Sequence, residues 1–211
     1  MILQNSKILV CVILISVLIL LSGCSSKYVG ESVDSSEVIG KKMFLKTNLH
    51  ADRGTGHLSS VNYQVIGKLI KWGSPVIISE EKVSDDALLD FVLKEIEANE
   101  NHNFFFHGRT LRYETPYSYL KKILTEDPAE LERTIAGLSA IDQQGIEKGI
   151  VLVGMSKIGV RVALGDPPVF ANPDPKTAVI WHYWYNKRGQ FKVAFDEGGM
   201  VKEITGFYPV R

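Results

Sequence analysis

The sequence predicts an α+β fold with a small β-rich module, a helical connector, and a last helix followed by a three-stranded antiparallel meander. Three observations carry this prediction. Short apolar runs broken by turn residues fill residues 41–114. Amphipathic stretches opened by proline occupy residues 115–149. Two tight turns divide residues 178–204 into three strand-like segments.

Residues 1–23 read as an export signal. Lys7 precedes residues 8–21, ILVCVILISVLILL, in which Ser16 is the single polar interruption. A charged start, an apolar run of about 7–15 residues and small residues after it describe a secretory signal peptide. A spanning helix needs about 20 apolar residues, and this run stops at Leu21. Leu21-Ser22-Gly23-Cys24 resembles a bacterial lipobox, with small residues before the cleaved bond and a thiol to carry diacylglycerol. The expectation is a lipoprotein signal peptide over 1–23 and lipidation, with palmitate-like acyl chains, at Cys24. Cys11 lies in the segment that would be removed, so the mature chain is expected to form no intramolecular disulfide. Residues 24–40, rich in Ser and acid toward their end, read as a tether. Ser25, where an Asp would signal retention, points to an outer membrane and a protein facing the periplasm.

Charge bounds the partners. The chain carries 24 Lys+Arg and 24 Asp+Glu, with 45% hydrophobic residues. Neutrality disfavours nucleic-acid binding, which needs a clustered basic excess. The hydrophobic content disfavours intrinsic disorder. Membrane attachment is expected to rest on acyl chains, each buried methylene contributing about 0.8 kcal/mol, rather than on a polybasic patch.

Within residues 41–114, KKMFLKTN (41–48) alternates and reads as a strand. HADRGTG (50–56) is a turn-rich loop, and SSVNYQVI (59–66) reads as a second strand. Gly73-Ser74-Pro75 breaks the chain before a third strand at Val76-Ile77-Ile78. By strand rhythm this module resembles a bacterial SH3-like barrel. Residues 83–99 carry two readings. Leu88, Leu89, Val92 and Ile96 share a helical face, which periodicity favours. Phe91-Val92-Leu93 and the turn-like residues 100–103 before Phe104-Phe105-Phe106 suit a hairpin. Residues 111–114 read as strand.

The connector, residues 115–149, is expected to hold three helices. Thr115-Pro116 and Asp127-Pro128 place an N-cap before proline, the second with a box-like Glu130. A third helix spans 140–148 and ends at Gly149. In the last unit, residues 150–211, Ser156 caps a helix that stops at Gly165 and Pro167. Strands follow at 178–185, 190–195 and 200–204, separated by turns at 186–189 and 196–199.

Gly154-Met155-Ser156, Val160, Ala163-Leu164-Gly165 with Pro167, Trp181, Tyr183, Val193, Phe195-Asp196, Gly199 and Val201 resemble the SmpA/OmlA (BamE-like) family of outer-membrane lipoproteins. The resemblance covers residues 146–205. It implies a non-enzymatic role in outer-membrane protein assembly or envelope integrity, beside a protein partner. The residues ahead of this unit depart from the simplest family members.

Chemistry is sparse. His50, His57, His102, His107 and His182 form no HExxH or His/Cys cluster, and a metal site at His102 and His107 would need ligands from elsewhere. There is no G-x-S-x-G, and Gly145, Gly149 and Gly154 make no phosphate loop. The expectation is no enzyme, no catalytic residue, no metal and no cofactor. On the strand at 178–185, Trp181, Tyr183 and Tyr185 share one face, with His182 and Trp184 on the other. Trp184 and His182 are thus the candidate partner contacts. The expected function is binding or scaffolding by a lipid-anchored envelope protein. The alternative is capture of a peptide or cell-wall ligand by the β-rich module.

Overall fold

The computed structural model describes residues 33–64, 67–82 and 89–206. The signal, Cys24, the first part of the tether and residues 83–88 lie outside them. The described chain is α+β, with four helices among the described residues and sheets of six, three and two strands.

The six-stranded sheet contains β1 (Lys42–Leu45), β3 (Leu58–Ser59), β5 (Pro75–Lys82), β6 (Leu89–Glu95), β7 (Glu100–Phe105) and β8 (Leu124–Thr125). Its order is β3-β7-β6-β5-β1-β8, antiparallel except for the β3/β7 pair. Alternation sends Met43, Leu45, Val76, Ile78, Phe91, Leu93 and Phe104 to one face. Helix α1 (Pro116–Ile123) covers that face with Leu120 and Ile123. The core also draws on the neighbouring segments. Val38 is fully buried, behind a 3-10 turn (Ser35–Glu37) closed by an Asp34/Glu37 capping box, and Leu124 of β8 joins beside β1.

Residues 89–95 are strand, not the helix that periodicity favoured. Phe91, Val92 and Leu93 are all buried, and β6 pairs with β5 on one side and β7 on the other. A central strand reads as a continuous apolar run, and pairing on both edges outweighs the helical spacing of its leucines. Residues 111–114 also differ from expectation. Thr110–Arg112 form a 3-10 turn, fixed by the bond from Thr110 N–H to the His107 carbonyl.

The second core lies between helices α3 (Ala140–Lys148) and α4 (Lys157–Leu164) and an antiparallel meander, β9 (Ile180–Trp184), β10 (Gln190–Phe195) and β11 (Val201–Gly206). Trp181, Tyr183, Phe191, Val193 and Phe195 fill it from the sheet, while Val160, Ala163 and Leu164 fill it from α4. Helix α2 (Pro128–Ile135) opens on Asp127, whose carboxylate accepts from Ala129 N–H. Glu130 does not complete a box there. It pairs with Lys46 instead.

Gly159 marks the closest approach of α3 and α4: a Cβ there would lie 1.9 Å from Asp142 Oδ1. Asp142 is 2% exposed and receives four hydrogen bonds. Its Oδ2 accepts from Ser139 N–H (3.1 Å) and Oγ (2.8 Å), closing the capping box of α3. Its Oδ1 accepts from Ser156 N–H (2.7 Å) and Oγ (3.1 Å), at the N-cap of α4. One carboxylate thus serves two helix N-termini, whose dipoles favour negative charge.

Candidate functional site

The last four carbonyls of an α-helix have no partner within the helix. In α4 the Arg161 carbonyl still accepts from Gly165 N–H (2.9 Å), whereas those of residues 162–164 lie past the last helical donor, and the β-rich half of the chain supplies a donor to each of the four. Thr47 Oγ1 donates to the Arg161 carbonyl (2.7 Å) and Asn48 N–H to that of Val162 (2.8 Å). Asn48 Nδ2 donates to Ala163 (3.3 Å) and Asn62 Nδ2 to Leu164 (2.8 Å). Asn48 Nδ2 also reaches the Ile146 carbonyl of α3 (2.7 Å), and His50 Nε2 donates to the Gly149 carbonyl (2.9 Å). His50 lies in β2 (Leu49–His50), paired with β4 (Leu69–Ile70), rather than in the loop expected at 50–56. Asn62 holds φ at +48°, a left-handed conformation that Asn tolerates well, and its Oδ1 accepts from His50 N–H (2.8 Å). The Asn48 and Asn62 side-chain amides use both their donors and their acceptors here, while the Gln64 Oε1 beside them has no partner among the described residues, and the two cores are joined through this polar seam rather than by a linker.

Beside this seam the two halves leave a groove. One cavity of about 350 Å³ opens between Tyr119 and Lys122 of α1 and Ile158 and Arg161 of α4. Pro167, Pro168, Pro173 and Pro175 of the loop between α4 and β9 wall its far side. A second cavity of about 200 Å³ shares Lys122, Ile123, Ile158, Arg161 and Asp166 with the first and extends it toward Thr47. Six of the charged lining residues form ion pairs: Lys122 with Glu114 (2.5 Å), Arg161 with Asp166 (2.5 Å) and Lys46 with Glu130 (2.8 Å). Lys157 lies over the rings of Trp181 and Phe195, at 5.6 and 5.2 Å, and donates to the Ala178 carbonyl (2.7 Å). Ile158 remains half exposed in the middle of the groove. No single sequence motif signals this site, because its walls come from α1 and from α4 with the loop after it, segments distant in the chain.

Trp184 and His182 stand on the outer face of β9, as alternation required, and both are half-buried. Phe170, from the proline-rich loop, packs on Trp184 at 5.1 Å, and His107 stacks on Phe170 in turn at 5.7 Å. The Asn172 amide accepts from His182 N–H (2.9 Å) and donates to its carbonyl (3.0 Å), standing in for a neighbouring strand at this sheet edge. Neither candidate contact lines the groove. Cys24 lies outside the described residues.

His107 and His182 titrate below the ordinary histidine value, both chiefly through burial, with Arg109 and Lys192 respectively adding repulsion. Near the free-histidine pKa of about 6.5 the unfolded chain then binds more protons than the folded one, so stability falls as pH drops below that value. Proton NMR of the imidazoles is expected to place both midpoints below about 6.5, and His182→Gln should flatten the acid-side loss of stability. Ordinary midpoints at both rings would contradict the packing described.

Among the described residues, one group of carboxylates and imidazole, Glu95, Glu100 and His102, lies close enough together to hold an ion, on the β6–β7 hairpin outside the groove. No helix among the described residues is long and apolar enough to cross a membrane. Comparison with family models, with curated proteins and with solved structures finds no match to this chain.

Proposed function

We propose that this chain is a lipid-anchored envelope protein that docks an extended polypeptide segment in the groove between its two cores, without catalysing a reaction. The observation that carries this reading is the groove itself: it is walled by prolines, centred on a half-exposed Ile158, and lined by ion pairs that are already satisfied. Paired charges suit recognition better than proton transfer, and an apolar centre with a polar rim suits a docked segment. Lipidation at Cys24, in an outer membrane facing the periplasm, belongs to the same proposal and rests on the lipobox-like Leu21-Ser22-Gly23-Cys24. Confinement to a surface raises effective concentration, so weak contacts suffice. The role in outer-membrane protein assembly rests on the SmpA/OmlA-like residues, and the SH3-like likeness of residues 41–114 rests on the β5–β6–β7 meander with β1 beside it. Ligand capture by residues 41–114 alone has less support, because the groove draws α4 and the loop after it from the other half.

The test is a cross-linked pull-down of the full chain from envelope fractions, beside Cys24→Ala and Ile158→Asp. Barrel-assembly components should co-purify with the native chain. Cys24→Ala should leave the membrane fraction, and Ile158→Asp should stay there but lose its partner. Retention of the partner by Ile158→Asp, or recovery of cell-wall fragments alone, would sink the proposal.

A further inference from the structure

We infer that Glu95, Glu100 and His102 form a binding site for a divalent transition-metal ion of the Zn²⁺ class, with Lys68 as a built-in competitor. Glu95 closes β6 and Glu100 opens β7, and the two stand directly opposite each other in the ladder. Like charges at such a position destabilise a hairpin unless a cation joins them. Lys68 supplies one in the structure, its Nζ lying 2.8 Å from Glu95 Oε2 and 2.7 Å from Glu100 Oε2.

The imidazole is what an ammonium leaves unexplained. His102 lies two residues along β7 from Glu100, on the same face, and is 5% exposed. Its Nδ1–H donates to the Gly56 carbonyl (3.1 Å), which leaves Nε2 as the lone-pair nitrogen of the neutral ring. Among the described residues Nε2 has no hydrogen-bond partner, although it is buried and points at the two carboxylates. It lies 3.5 Å from Glu95 Oε2 and 3.8 Å from Glu100 Oε2. A tetrahedral ion with bonds of about 2.0–2.2 Å holds neighbouring ligand atoms roughly 3.4 Å apart. Both distances from Nε2 are thus close to that spacing, and all three donor atoms lie within 4.8 Å of one another. A backbone carbonyl on the opposite ring nitrogen is the usual support for a metal-bound histidine. One imidazole and two carboxylates suit Zn²⁺ better than Ca²⁺ or Mg²⁺, which favour all-oxygen shells. Lys68 is 38% exposed on a flexible stem, so its ammonium can swing out as the ion enters. The bound ion would tie the loop around Gly56 to the β6–β7 hairpin.

The experiment titrates Zn²⁺ alone into the full chain in detergent by calorimetry, with Co²⁺ absorbance reporting coordination geometry. One-site saturation and a tetrahedral Co²⁺ spectrum are expected. Glu100→Gln and His102→Gln should each weaken binding at least about tenfold, and Lys68→Met should tighten it by a similar factor. Glu100 is 53% exposed, so Glu100→Gln decides the question even if the buried His102 variant fails to fold. Absence of saturation, or unchanged affinity in Glu100→Gln, would overturn the site. Unchanged affinity in Lys68→Met would overturn the competition.

Discussion

Asp142→Ala is expected to lower the folding free energy by about 3–5 kcal/mol, because hydrogen bonds to a charged group contribute roughly 1.5–3 kcal/mol each and their losses do not add fully. The substitution orphans the backbone N–H groups of Ser139 and Ser156 and removes the acceptor for both hydroxyls. The N-termini of α3 and α4 lose their shared anion in the same step. For a chain of this size the midpoint of thermal unfolding should fall by roughly 10 °C. Gly159→Ala attacks the same point sterically, since its Cβ would meet Asp142 Oδ1, and should also destabilise. Denaturant unfolding followed by tryptophan fluorescence reads both effects, because Trp181 lies in the adjoining core and Trp72 packs against it. A loss below about 1 kcal/mol in Asp142→Ala would place that carboxylate outside the structural role given to it here.

Asn48→Ala is expected to cost about 2–4 kcal/mol, since each buried polar group left unpaired costs roughly 1–3 kcal/mol. The Asn48 side chain is fully buried. It donates to the Ile146 and Ala163 carbonyls, while its Oδ1 accepts from Trp72 N–H (2.8 Å). Three separate elements therefore lose a partner. The effect should appear in both cores together. Far-UV circular dichroism, weighted by the six-stranded sheet and the helices, and fluorescence from Trp72 and Trp181 should keep coincident transitions at a lower midpoint. If the two probes separate in the native chain, the halves unfold independently and the seam does not couple them.

The local grammar of the fold was readable in the sequence where one residue decides one event. Thr115, Asp127 and Ser156 all act as N-caps, α3 spans 140–148 and ends at Gly149 at φ +61°, and the alternation of residues 190–195 is β10 without change of boundary. Trp181 and Tyr183 face the core, as strand alternation required. What escaped the sequence depends on distant pairing. The sequence leaves residues 83–99 open between helix and hairpin, and Phe91-Val92-Leu93 is strand, as the hairpin reading has it, because β5 and β7 flank it, which no local period expresses. Thr47, Asn48 and Asn62 read as polar positions of the strands expected at 41–48 and 59–66, but the strands end at Leu45 and Ser59 and these side chains meet the end of α4 instead. The groove and the Glu95/Glu100/His102 cluster are products of that assembly. The cluster joins one hairpin to Lys68, a residue 27 positions before Glu95 in the chain.

Site-specific photocross-linking from position 158 tests whether the groove between the two cores holds a partner at the membrane surface. A photoreactive residue replaces Ile158 in the full lipidated chain, with a second at Arg53, an exposed loop position that does not line the groove. One discrete adduct of an envelope protein is expected from position 158, competed by an excess of the native chain, and none from position 53. Adducts of equal yield from both positions, or from position 53 alone, would contradict it.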